Sequence, residues 1–134
     1  MEDKRIRQPA PFAGLTISHD GSRWAELEAN GRLRVDGSYT GEFTLPEGTV
    51  RKDGSIKGCV EPDGTIRIDG SIAGEIEENG TLRRGGSAVG EIAAGGTIYR
   101  DGSVWGEVEP GGAGFDSLRA AAAVLVFFAP DFGG

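Results

Sequence analysis

The chain holds one cysteine, Cys59, and one histidine, His19, in 134 residues. A single cysteine excludes an intrachain disulfide, and a reducing compartment is the natural expectation. A lone histidine with no Cys–His cluster leaves no transition-metal ligand set and no imidazole-based acid–base pair. Basic residues are also scarce: 14 Lys and Arg stand against 21 Asp and Glu, a formal net charge of −7. That balance argues against nonspecific nucleic-acid binding, which needs a basic surface to displace counterions from phosphates. No apolar run reaches the roughly 20 residues of a membrane-spanning helix. The opening MEDKRIRQPAPFAG lacks the apolar core of a secretion signal, so a cytoplasmic location is expected.

Glycine, by contrast, is abundant at 24 residues, and it recurs at fixed places. Gly21, Gly37, Gly54, Gly70, Gly86 and Gly102 mark a unit of 16 residues, with one spacing of 17. Representative copies are DGSIKGCVEPDGTIRI and DGSIAGEIEENGTLRR. So short a period means one small structural unit placed repeatedly against its own copies. Three segments follow: an N-terminal arm or cap (1–18), the repeats (19–112), and an apolar C-terminal cap or association segment (113–134).

Three apolar ranks recur within the unit. The first is Leu33, Val50, Ile66, Leu82 and Ile98. The second is Tyr39, Ile56, Ile72 and Val104, with Ala88 or Val89 between; the third is Leu27, Phe43, Val60, Ile76, Ile92 and Val108. Polar residues flank each one, which is the period-two alternation of short strands with one face inward. Asp-Gly pairs and segments such as Glu61-Pro62-Asp63-Gly64 supply the turns between them. A further glycine in each unit (Gly41, Gly58, Gly74, Gly90, Gly106) implies a corner or a close backbone approach.

The fold class is therefore all-β, and two architectures fit: a 16-residue β-solenoid or a hairpin-built repeat sheet. Strands of unequal length favour the solenoid, in which equivalent residues stack in files. Charge favours hairpins, because pairing about residues 78–80 sets Glu75 against Arg83 and Ile76 against Leu82, and pairing about 29–31 sets Glu26 against Arg34. Stretches such as Gly70-Ser71-Ile72-Ala73-Gly74-Glu75-Ile76, and the similar Gly86–Ile92 and Gly102–Val108, resemble the G-x-[VI]-x-G-[DE]-I core of bactofilins. That resemblance implies a solenoid polymerising end to end without nucleotide, often near a membrane.

No residue pattern points to catalysis, a cofactor or a metal. The Asp file (Asp20, Asp36, Asp53, Asp69, Asp101) is what Asp-Gly turns require, and no calcium-binding nonapeptide accompanies it. In the tail, Phe115-Asp116-Ser117 can start a helix running to about Ala129 before Pro130; Val124–Phe128 also has strand character. The expected function is that of a non-enzymatic structural protein that forms homo-oligomers or polymers through strand edges, stack ends or this tail. Its association residues would be Trp105, Val108, Val124, Leu125, Phe127 and Phe128. The alternative is a protein-binding module, adaptor or inhibitor, presenting Glu42, Glu75, Glu91, Glu107, Arg34, Arg51, Arg67 and Arg83 to a partner. A membrane-surface contact through the tail is a lesser option.

Overall fold

A computed structural model describes residues 14–45, 47–109, 115–129 and 132. It contains β1 (Leu15–His19), β2 (Ser22–Leu27), β3 (Arg32–Val35), β4 (Ser38–Thr44), β5 (Thr49–Lys52) and β6 (Ser55–Val60). These are followed by β7 (Thr65–Ile68), β8 (Ser71–Ile76), β9 (Thr81–Arg84), β10 (Ser87–Ile92), β11 (Thr97–Arg100), β12 (Ser103–Glu109) and the helix α1 (Phe115–Phe128). Each strand pairs antiparallel with its sequence neighbours, and β1 pairs with β12, so the sheet closes into a twelve-stranded barrel. All of β1 but His19 comes from the 1–18 segment; Pro9, Pro11 and Phe12 of that arm lie outside the described residues.

Turn chemistry dictates the zigzag. At one end of the barrel, six two-residue turns join the strands as hairpins. In Asp69-Gly70 both residues have positive φ, 52° and 85°, the signature of a type I′ turn whose twist suits antiparallel strands. At the other end the connections are longer. The amide of Glu61 donates to the Thr65 carbonyl and that of Gly64 to the Glu61 carbonyl, and Asp63 Oδ1 accepts from the Thr65 amide at 2.9 Å. Asn30 and Asn79 make the same side-chain bond in their own loops at 3.0 Å.

The barrel corrects the solenoid expectation. The hairpin registers are those that charge favoured: Glu75 opposite Arg83, Ile76 opposite Leu82, Glu26 opposite Arg34. A coil would have stacked like charges in files, whereas hairpins alternate them. The short strands need no second turn of a coil, because each long strand pairs with a short strand on either side and shares its central residues between them. The second apolar rank is also corrected. The first and third ranks are buried, but Tyr39, Ile56, Ile72 and Val104 are 45, 59, 67 and 68% exposed. The cause is a bulge in each hairpin. Pairing jumps, for example, from Ile66↔Gly74 to Arg67↔Ile72, so Ala73 is the extra residue and Ile72 is turned outward.

Twelve strands spaced about 4.8 Å apart give a circumference near 58 Å and a diameter of at least about 18 Å, too wide for strand side chains alone to fill. Helix α1 occupies this lumen. Its nearest strands are β6 and β8 on one side and β1 on the other, and Ala120 to Phe127 are all buried. That explains a helix apolar on every face, and it rules in favour of helix over strand for Val124–Phe128. The helix enters at the loop end, with Phe115 against Gly64 and the buried Arg119 donating to the Val60 carbonyl at 2.7 Å. It leaves toward the tight-turn end, where Arg84 donates to the Phe132 carbonyl at 2.8 Å and Lys52 lies 5.4 Å from the Phe128 ring centre. Cations there complement the carbonyl end of the helix dipole.

Size complementarity sets the fit. The alanines of α1 face the loop-end half, where the strands supply Val50, Val60 and Ile76; the phenylalanines face the belt of mid-strand glycines. A Cβ on Gly58 would stand 2.9 Å from Phe127 Cζ and would collide outright with the Arg67 carbonyl oxygen. Gly95, in an outer loop, has nothing within 4 Å and no positive φ. Gly58→Ala should therefore destabilise the protein by at least 1 kcal/mol, while Gly95→Ala should be neutral or stabilising by about 0.4–1 kcal/mol, as urea unfolding would show. Burial of Val124, Leu125, Val126 and Phe127 is worth about 1.5–3 kcal/mol each, together comparable to the stability of a whole domain. A chain ending at Gly112 should then lose cooperative unfolding and aggregate in light scattering, while the full chain keeps a concentration-independent mass.

Candidate interaction surface on the outer wall

The two residue sets expected to carry function lie on opposite sides of the wall. Trp105, Val108, Val124, Leu125 and Phe127 are buried and Phe128 is half-buried, all packed in the barrel interior. Glu42, Glu75, Glu91 and Glu107 are exposed on the outer wall, and Arg34, Arg51, Arg67 and Arg83 lie half-exposed beside them. Alternation along each strand separates the sets, since neighbours of an inward residue point outward.

The arginines do not chiefly use the glutamates opposite them. Arg67 Nε reaches Glu61 Oε2 at 2.6 Å, and Arg83 Nε reaches Glu77 Oε2 at 2.6 Å. Arg34 is bound by Tyr39 Oη at 2.6 Å and lies 3.4 Å from Glu28; Tyr39 in turn donates to Glu28 Oε2 at 2.7 Å. Hydrogen bonding to Glu77 raises the Arg83 pKa, and hydrogen bonding to Tyr39 raises that of Arg34. The pairing glutamates were missed from sequence, although the signal is present: Glu28, Glu61 and Glu77 each precede their arginine by six residues. Such exposed pairs orient side chains more than they stabilise the fold.

Between the hairpins the outer wall is scalloped. One groove of about 480 Å³ is bounded by Arg32, Tyr39, Glu42, Arg51 and Asp53. Repeat-related grooves of about 450 and 360 Å³ lie at Thr81, Ala88, Glu91, Tyr99 and Asp101, and at Thr97, Val104, Glu107, Ser18 and Asp20. Above them, near the tight turns, the outward-turned Tyr39, Ile56 and Ile72 recur at one level on the successive long strands β4, β6 and β8, with Val104 at the same level on β12. No family model matches the chain, and neither does any curated protein or solved structure.

His19 packs inward at the closing seam. Its ring stacks on Trp105 at 4.0 Å and its Nδ1 bonds the Trp105 carbonyl at 2.7 Å, with Trp24 and Phe132 edge-on to the same indole. The Asp file sits at the turn tips with positive φ, and among the described residues no three His, Cys, Asp or Glu side chains gather as metal ligands would. Cys59 takes the place held elsewhere by an outward Glu, and partial burial raises its thiol pKa. Among the described residues no helix is long and apolar enough to cross a membrane.

The loop carboxylate of Asp63 is held below its ordinary range, chiefly by the Thr65 amide that it accepts. A depressed carboxylate stabilises the fold above its unfolded pKa and loses that contribution as pH falls through the folded value. Asp63→Asn keeps the acceptor, as Asn30 and Asn79 do. The variant should fold normally and show a shallower loss of stability than wild type when unfolding is measured from pH 5 down to pH 2.

Proposed function

We propose that this chain is a non-catalytic protein-binding module whose working surface is the outer wall of the barrel. The observation that supports it best is the line of exposed aliphatics, Ile56, Ile72 and Val104, at 59, 67 and 68%. Single exposed apolar residues are ordinary. Here the same repeat position is turned out hairpin after hairpin, with Arg51, Arg67 and Tyr99 registered beside it on the neighbouring short strands. Apolar anchors alternating with guanidinium and carboxylate groups are the composition of a protein-recognition surface.

Self-association through strand edges or the tail draws less support. Closure pairs β1 with β12, which leaves no free edge among the described strands, and α1 is committed to the lumen. The inner mouth at the tight-turn end is occupied by Trp105, Phe132, Arg84 and His19. What faces solvent is a repeated, mixed-charge wall.

The test is capture of partners from native extract by the tagged full chain, beside Ile56→Asp/Ile72→Asp and Leu118→Ala. The outer-wall double variant should keep its melting curve and lose the specific partners; the Leu118 variant, altered inside, should keep them. Retention of every partner by a folded Ile56→Asp/Ile72→Asp protein would refute this reading.

A further inference from the structure

The repeats provide an internal standard against which the groove at β4 can be set. In the grooves at β10 and β12 the five bounding positions are Thr81, Ala88, Glu91, Tyr99, Asp101 and Thr97, Val104, Glu107, Ser18, Asp20. Each therefore carries two carboxylates and no cation. In the groove at β4 the same positions hold Arg32, Tyr39, Glu42, Arg51 and Asp53, which brings two guanidiniums to the same two carboxylates. Arg32 and Arg51 flank Glu42 in register, one on each neighbouring strand.

Both guanidiniums are weakly neutralised. Arg51 is the outer arginine whose residue six positions earlier is Leu45 rather than glutamate, so its one carboxylate is Glu42 at 3.9 Å. Arg67 and Arg83, with their loop glutamates, reach 2.6 Å. Arg32 has no carboxylate within 4.0 Å among the described residues; its guanidinium lies over the Tyr39 ring at 3.8 Å. Tyr39 is fixed in place by Arg34 and Glu28. The stack therefore orients Arg32 while leaving its hydrogen-bonding edge for a ligand.

We infer that this groove binds a carboxylate-bearing, extended segment of a partner protein. The inference rests on the reading of the outer wall as a protein-binding surface and names where and what it binds. Arginine pairs best with planar oxyanions. The two cations sit two strands apart, about 9.6 Å, which carboxylates three residues apart on a polyproline II segment, on one face and about 9.3 Å apart, can span. Glu42 and Asp53 within the groove favour singly charged carboxylates over a dianionic phosphate. The β10 and β12 grooves, with two carboxylates and no cation, repel the same ligand, and Arg34, Arg67 and Arg83 at the equivalent position of the other hairpins are each engaged by a loop glutamate, which favours the β4 groove.

The experiment is an NMR titration of the full chain with a capped hexapeptide carrying two glutamates three residues apart, beside its glutamine counterpart and inorganic phosphate. Shifts should concentrate at Arg32, Tyr39, Glu42 and Arg51 with the glutamate peptide alone. Arg32→Thr and Arg51→Ser install residues that sibling grooves already tolerate, so both should fold; each should weaken binding about tenfold, and Arg67→Ser should not. Shifts spread over all hairpins, binding unchanged in folded Arg32→Thr, or equal occupancy by phosphate would each overturn the inference. Partner capture by the Ile56/Ile72 variant is independent of these outcomes, so the two readings fail separately.

Discussion

Filling the lumen is the constraint on which the rest of this structure depends. An antiparallel run of twelve short strands could remain an open sheet with two reactive edges. Closing it removes the edges but encloses more space than the inward ranks of Leu, Ile and Val can occupy. The C-terminal segment resolves this by supplying a helix apolar on all sides, and that in turn explains why the tail has no polar face. Closure and filling stabilise each other: the helix has no other place to bury its surface, and the barrel has no other core. The longest-range contacts in the chain are thus the ones on which everything local relies.

The mid-strand glycines couple the interior to the exterior. At Gly41, Gly58 and Gly90 the missing Cβ admits Phe128, Phe127 and Phe132 against the wall. The same glycines lie at bulges, where an extra residue switches the alternation, so the side chain two positions earlier points outward. One device therefore narrows the lumen and creates the exposed row. On β6, a strand without the bulge would send Ile56 toward the lumen beside Gly58, where Phe127 already lies.

Much of this was legible in the sequence and some could not be. The 16-residue period, the hairpin turns, the first and third ranks and the pairing of Glu75 with Arg83 all follow from local chemistry, because turn type sets register over a few residues. Closure did not follow. Whether a repeat coils, fans or closes depends on small angles between neighbouring hairpins summed over the whole chain, and on what fills the middle. The second rank was misread for a related reason: alternation counted along Ser71-Ile72-Ala73-Gly74-Glu75-Ile76 places Ile72 inward unless the bulge at Ala73 is known. The outer Glu and Arg residues were legible as a face, but their partners in the loops, Glu61 and Glu77, were not, since strand register alone does not show how far a guanidinium reaches.

Repetition changes how function can be read from such a chain. Where six hairpins share one backbone and one packing problem, the residues common to them answer to the fold. Thr at the start of the short strand, an aliphatic after the tight turn and an outward Glu are such residues. A departure at one of these positions is weak information, since substitutions on an outer wall are cheap. Two departures that touch each other are stronger, as when Arg32 replaces Thr and stacks on Tyr39 where an aliphatic would stand. Neither change is required by the lumen, which both side chains face away from, and each leaves the backbone of its hairpin in the common register. The β4 hairpin therefore keeps the architecture while altering its chemistry, and that separation lets the outer wall vary from hairpin to hairpin at no cost to the lumen.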